Sequence, residues 1–394
     1  NDTFSGIAID GQKIIITFDK IAPDALLTFT QFAPVPKSEF EGIDPLQVQQ
    51  APFFQHPIGC GPFMVEEVNM KNYTILAPFD KYYNGVADFK IQLLPSAGDS
   101  DPNVVTRAKS GNLDYGYTKM VADVQALEGT PGITVTPIDV RYTRLFYLNK
   151  FDKKDGSPAP LADVRVRQAL RYAIDMETIC ETLFQGSAVP ANALAPDANL
   201  KGGDLNDYNY NPEKAKELLA EANWDPNTVI KAVYYYTDQA TVDLMTAVQA
   251  YLADVGIKME FELVEGDLAT ILWAAPADQT NGPRAVDWDI CYAANAALSL
   301  HEYYDRYRTG SPTNSHTPED AELNRLIDAT NASADVNAQN EAFKELIKYE
   351  NENLFTMALY YQPIFLITSD KIGDIQKGTP QFCINWDIQN WNVQ

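Results

Sequence analysis

Histidine and cysteine are both scarce in this chain. Three histidines, His56, His301 and His316, and four cysteines, Cys60, Cys180, Cys291 and Cys383, are scattered over 394 residues. Spacing this wide offers neither a CxxC pair nor two neighbouring histidines, which excludes the usual zinc patterns. Four distant cysteines make no disulfide scaffold either. One long-range bridge could form outside a cell, and the sequence does not say between which of them. Cations are in deficit as well: 30 Lys and Arg stand against 54 Asp and Glu, a formal net charge of -24. Nucleic-acid phosphates and anionic lipid surfaces need clustered Lys and Arg, so both are poor partners for this chain. The negative charge is spread along the sequence rather than massed in a tail, which reads as solubility. No apolar run approaches the length that crosses a bilayer.

Several motifs with catalytic associations are incomplete. His301-Glu302-Tyr303-Tyr304-Asp305 opens like the HExxH of zinc proteases, but Asp305 stands where the second metal-binding histidine is needed. Asp99-Ser100-Asp101 resembles the start of a calcium loop that lacks its glycine and its closing glutamate. Gly59-Cys60-Gly61 lacks the third glycine of a dinucleotide loop, and no GxSxG elbow occurs. Carboxylates are too numerous for any pair to be singled out for acid–base work. The sequence therefore nominates no catalytic residue, no metal ligand and no cofactor, and the chain reads as other than an enzyme.

What is present is a mixed α/β pattern. Phe63–Val68 and Tyr73–Ala77 flank a polar turn at Asn69–Asn72, a hairpin signature. Arg144–Leu148 reads as a strand that runs into a polar loop. Val164 to Asp175 reads as an amphipathic helix, with Val166, Leu170, Ala173 and Ile174 on one face and Arg165, Arg167 and Arg171 on the wet side. Asn211 followed by Pro212 marks a helix start, and Gly256 a helix stop. Ile257 to Val264 alternates like a half-buried strand. Thr317 with Asp320 resembles a capping box ahead of Leu323. Tyrosines are dense at Tyr234-Tyr235-Tyr236, Tyr303-Tyr304, Tyr307 and Tyr360-Tyr361. Most should serve the core, and those at segment ends suit ligand contact, with a flat apolar face and a hydroxyl.

The segment Val164-Arg165-Val166-Arg167-Gln168-Ala169-Leu170-Arg171-Tyr172-Ala173-Ile174-Asp175 also resembles a hallmark of the family 5 solute-binding proteins of bacterial ABC importers. Four further segments match that family in order. They are His56 to Phe63 (with Cys60 in a usual Thr position), Gly111-Asn112-Leu113-Asp114, Tyr210 to Leu219, and Leu252 to Lys258. Together they span roughly residues 10 to 370. The resemblance implies an α/β, periplasmic-binding-protein-like fold (type II, cluster C) of two lobes joined by a two-strand hinge. It places residues 1–145 in part of lobe I, 146–361 in a second α/β lobe resembling domain III, and 362–394 in a return to lobe I. Family members usually begin with a signal peptide and a longer N-terminal region, so the chain is expected to be the C-terminal part of a longer protein.

The resemblance further implies an extracellular protein, lipid-anchored at the cell surface or periplasmic. Acting as a monomer, it would capture a small solute between its lobes, an oligopeptide first, and deliver it to an ABC permease. The stretch Asp289 to Glu302 corresponds to the peptide-binding loop of the family. Asn295 stands there in place of Trp, and no Asp follows to hold an α-ammonium, which leaves room for a modified or N-blocked peptide, an oligosaccharide or a metal chelate. A family-derived surface receptor or adhesin is the other alternative. By position, the implied ligand contacts are Tyr115, Tyr117, Arg144, Tyr147, Asn295, Ala296, Ser299, His301, Tyr361, Gln362 and Trp386.

Overall fold

The computed structural model describes residues 6–96, 101–313, 316–373 and 387–394. The chain divides into two compact units, one of residues 1–28 with 141–362 and one of residues 29–140 with 363–394. Along the chain the strands among the described residues are β1 (Ile7–Asp10), β2 (Lys13–Ile16), β3 (Phe63–Asn69), β4 (Tyr73–Pro78), β5 (Ile91–Leu93), β6 (Tyr115–Thr118), β7 (Ile133–Ile138), β8 (Tyr142–Leu148), β9 (Val189–Pro190), β10 (Val229–Tyr234), β11 (Lys258–Leu263), β12 (Ile290–Ala296), β13 (Thr356–Tyr361) and β14 (Ile364–Ser369).

The larger unit is organised on a six-stranded sheet of order β11-β10-β12-β8-β13-β9. β10 runs parallel to β11 and β12, whereas β12, β8 and β13 pair antiparallel. All seven residues of β8 are buried. Side chains alternate between the faces of a strand, so a strand covered on both sides needs apolar residues at every position. Phe146 and Leu148 enter one core, with Val166, Leu170, Leu244 and Met245. Leu145 and Tyr147 enter the other, with Trp288, Tyr303, Phe343 and Leu346. β11 lies at the sheet edge, and its alternation is partial: Met259 is buried, Phe261 half-buried and Leu263 exposed. β1 and β2 form a separate antiparallel ribbon whose residues are exposed.

Helix signals in the sequence resolve into measurable caps, with two corrections. Asn211 accepts a hydrogen bond from Lys214 N at 3.0 Å and Pro212 occupies the first turn. Gly256, at φ +87, ends the helix Gln239–Asp254. Ahead of Leu323, however, the cap is Asp320 and not Thr317. The helix starts at Ala321, so only the residue just before it can reach the Leu323 N–H, at 2.9 Å.

The second correction concerns the arginines of helix Val164–Ala173. Arg165 is partly exposed and paired with Asp163, but Arg167 and Arg171 are buried rather than wet. Arg167 donates to the carbonyls of Leu161, Ala162 and Asn353 at 2.7–3.1 Å. Arg171 donates to the carbonyls of Ala191 (3.0 Å) and Tyr208 (3.4 Å). Helical periodicity assigns an Arg to solvent by default. Here the surrounding loops present carbonyls that the long guanidinium side chains reach and bond.

The smaller unit holds two three-stranded antiparallel sheets, β3-β4-β5 and β6-β14-β7. The β3–β4 hairpin turns where the polar run predicts, with Asn72 N on Asn69 O at 2.8 Å. Gly111, at φ +72, lets the chain leave helix Val104–Lys109 through a left-handed residue. Asp114 then accepts from Ser369 Oγ and Lys371 Nζ, both at 2.9 Å, tying the Gly-x-x-Asp step to the end of β14. Ile367 of β14 packs with Val104, Ala108 and Leu127 in this unit's core.

Replacing Arg167 by Ala should destabilise the protein by about 2–4 kcal/mol, since the buried carbonyl of Leu161 and the part-buried carbonyls of Ala162 and Asn353 lose this donor. Arg165→Ala, which removes a partly exposed pair, should cost under about 1 kcal/mol. Urea denaturation of the two variants checks this contrast, and equal losses would contradict it.

Candidate solute-binding residues

The sequence-nominated residues fall into separate groups. In the smaller unit, Tyr115 and Tyr117 sit on β6. The Tyr115 ring lies 5.1 Å from Trp391, with its hydroxyl buried and without a hydrogen-bond partner, while Tyr117 is exposed. The remaining described nominees belong to the larger unit, and Trp386 lies outside the described residues.

Ser299 and His301 are held by their own chain. Ser299 caps helix Leu300–Asp305, and its hydroxyl also donates to Asp24. Glu302 Oε2 accepts from Leu298 N at 3.1 Å, so the carboxylate next to the divergent loop supports the helix start. The ring of buried His301 lies against Phe343, with Nε2 3.3 Å from Gln339 Oε1 and 3.5 Å from Asp24 Oδ1. Tyr147 is buried, its hydroxyl accepting from Arg306 at 2.8 Å.

Tyr361 belongs to a polar knot that sequence reading did not assemble. Its hydroxyl lies 2.5 Å from Ala193 O and receives a bond from Lys201 Nζ at 2.7 Å. Nearby, fully buried Glu350 accepts from Leu194 N (2.6 Å) and Tyr304 Oη (2.7 Å). Burial pushes the Glu350 carboxyl up to about 8 and the Lys201 ammonium down to about 8. Gln362, also buried, ends the larger unit.

Among the larger unit's nominees Asn295 and Arg144 stand out, because buried side-chain polar atoms of each have no hydrogen-bond partner among the described residues. Asn295 is 1% exposed, and neither its side-chain oxygen nor its nitrogen has a hydrogen-bond partner. Ala296, half-buried, ends the same strand. Arg144 is 8% exposed, with Nε and Nη1 buried and unpartnered. Its guanidinium carbon lies 4.2 Å from the Tyr236 ring centre, 5.2 Å from Tyr142 and 5.7 Å from Tyr292. The two residues do not converge. Asn295 is registered opposite Thr143 and Arg144 opposite Ala294, which puts their side chains on opposite faces of the sheet. The tyrosine density of the sequence held the signal for this cage, although the partners come from four distant segments.

Among the described residues, no group of three or more His, Cys, Asp and Glu could hold a metal ion, and Cys60, Cys180 and Cys291 are free thiols. No helix among them is long and apolar enough to cross a membrane.

Residues 1–317 match the family described as bacterial extracellular solute-binding proteins, family 5 Middle. The chain belongs to this family. A provisionally named ABC transporter peptide-binding protein of Brucella ovis is 28% identical over 256 residues, 64% of this chain and 47% of that protein. The chain thus spans about half the length of the curated relatives it matches. The fold is shared with the oligopeptide-binding protein AppA of Bacillus subtilis, solved with a nonapeptide (TM-score 0.75, 18% identity, 99% of this chain and 78% of that one). It is shared too with NikZ of Campylobacter jejuni, solved with Ni(L-His) (TM-score 0.77, 17% identity, 98% and 78%). The two-lobed, mixed α/β fold class expected from the sequence is therefore the fold of this family 5 member.

The Glu350 carboxyl gives a signed pH dependence. Its folded-state value, about 8, lies above its unfolded value near 4.5, so folding retains a proton that the unfolded chain releases. This contribution is fully present below pH 4.5 and is lost as pH rises toward 8. Lys201, lowered to about 8, stays largely protonated in both states below about pH 7, where the Glu350 contribution is read. Stability measured by denaturation from pH 5 to 8 should fall for the parent protein and fall less for Glu350→Gln. An identical slope in the variant would contradict the assignment.

Proposed function

We propose that this family 5 solute-binding protein captures a peptide-like solute outside the cytoplasmic membrane and delivers it, chemically unaltered, to an ABC permease. The family match over residues 1–317 carries this reading, and the relative named for peptide binding supports the choice of solute. The family is one of binding proteins rather than an enzyme class. Delivery then rests on ligand contacts that favour one conformation over another, with no bond made or broken. Within the larger unit the proposed contacts are Arg144, Asn295 and Ala296. Asn295 supports the reading most directly among these, because an unsatisfied buried amide is costly until something bonds to it. The protein is proposed to act as a monomer.

A metal chelate is the second reading, favoured by the fold neighbour solved with Ni(L-His). With no cluster of metal ligands among the described residues, such a metal would arrive already complexed.

Isothermal titration of the purified chain with tri- to pentapeptide pools, and in parallel with Ni(II)–histidine, decides between them. Saturable one-to-one binding of a peptide, recovered intact, is the expected result. Binding of the nickel complex with none of any peptide pool would overturn the peptide reading.

A further inference from the structure

Five Lys and Arg side chains are buried in the larger unit: Arg144, Lys150, Arg167, Arg171 and Arg284. Four have evident partners. Lys150 Nζ donates to the carbonyls of Leu148 (2.7 Å) and Phe355 (2.6 Å). Arg167 and Arg171 donate to loop carbonyls, and Arg284 donates to two carbonyls and to Asp289 at 2.8 Å. Arg144 makes no hydrogen bond or ion pair with any described residue. Burial works against its charge, and the principal groups acting on it are the hydroxyls of Tyr292, Tyr142, Tyr360 and Tyr236, neutral phenols at physiological pH. Tyr292 and Tyr360 bond to each other at 2.7 Å, and Tyr236 to Tyr235 at 3.0 Å. Asp238, a carboxylate acting on Tyr292, is committed to Thr241 at the start of helix Gln239–Asp254. Ring faces hold the guanidinium by cation–π attraction, but they leave its N–H groups unsatisfied.

We infer that Arg144 is an anion subsite, and that the group it takes is a carboxylate of the bound solute. A guanidinium cannot shed its proton to escape burial, so an unpaired one in a core is costly unless an anion arrives. The planar fork matches a planar carboxylate, and its single positive charge balances a single negative one. A phosphate dianion would remain half compensated, because the principal groups acting on Arg144 among the described residues are tyrosines and include no second cation. Access is provided by Tyr235 and Tyr236, which are half-buried and lie in the irregular segment just after β10, where they can turn without breaking the strand ladder. This assignment rests on the reading of the chain as a solute-binding protein and names the chemistry its solute must carry.

The test uses the parent protein, Arg144→Met and Arg144→Lys, stripped of solute by unfolding and refolding. Melting temperatures are read alone, with sodium succinate, and with tripeptide acids against the matched C-terminal amides. The parent should bind acids about ten- to a hundredfold more tightly than amides. Arg144→Met should lose that preference and the response to succinate, while melting no lower than the parent when ligand-free. Arg144→Lys should retain part of both responses. An acid preference unchanged in Arg144→Met would overturn the subsite while leaving peptide capture intact. A marked fall in the ligand-free melting temperature of Arg144→Met, with no change in succinate response, would make Arg144 structural. If no peptide binds, an Arg144-dependent succinate response still upholds the subsite and removes the peptide reading. Absence of any succinate response in the parent overturns the subsite.

Discussion

The larger unit depends on a strand buried on both faces. β8 lies between two cores, and its neighbours β12 and β13 are nearly as buried. A sheet of this kind has no solvent to satisfy the carbonyls where its strands run into loops. Cationic side chains take over that task. Lys150 closes the end of β8 by bonding Leu148 O and Phe355 O, and Arg284 bridges Phe151, Trp288 and Asp289. Arg167 ties the loop before its own helix to Asn353, the last residue of the helix Val336–Asn353. In a chain with so few basic residues, several are spent on main-chain carbonyls rather than on carboxylates. Long-range burial of apolar surface then follows, because the loops are pinned where the two cores need them.

Against that pattern Arg144 is the exception, and the proposed carboxylate subsite rests on it. It occupies the same strand and is as deeply placed, yet it bonds to nothing among the described residues. Stability alone would select an apolar residue at that position, since removing an unpaired buried charge is commonly favourable. A protein keeps such a feature when something outside the fold supplies the missing partner. The polar knot of Glu350, Tyr304 and Lys201 is the opposite case, satisfied internally and shifted in its titration chiefly by burial. Perturbed titration by itself therefore does not distinguish a binding group from a structural one here.

Much of the fold was legible in sequence because its signals are local. The Asn211–Pro212 start, the Asn69–Asn72 turn and the Gly256 stop each depend on residues within four positions of one another. The family resemblance added the arrangement that local signals lack. What failed was whatever depends on distant acceptors. Arg167 reads as solvent-facing until the carbonyl of Asn353, 186 residues away, is placed beside it. Thr317 was a plausible cap until the helix start at Ala321 put Asp320 in reach instead. The nominated contacts Ser299, His301 and Tyr361 were chosen by position along the chain, and their engagement by Asp24, Gln339 and Ala193 was invisible there. The cage around Arg144 draws on residues 142, 236, 292 and 360, so no window of sequence contains it.

The central claim is that this chain holds an intact, negatively charged solute at a fixed cation. Native mass spectrometry of the protein after incubation with an extract of its host's growth medium, followed by denaturing release, tests it directly. The account predicts a noncovalent adduct whose released mass carries a carboxylate and is chemically unchanged. A released species that has been chemically converted, or a protein that stays bare throughout, would contradict it.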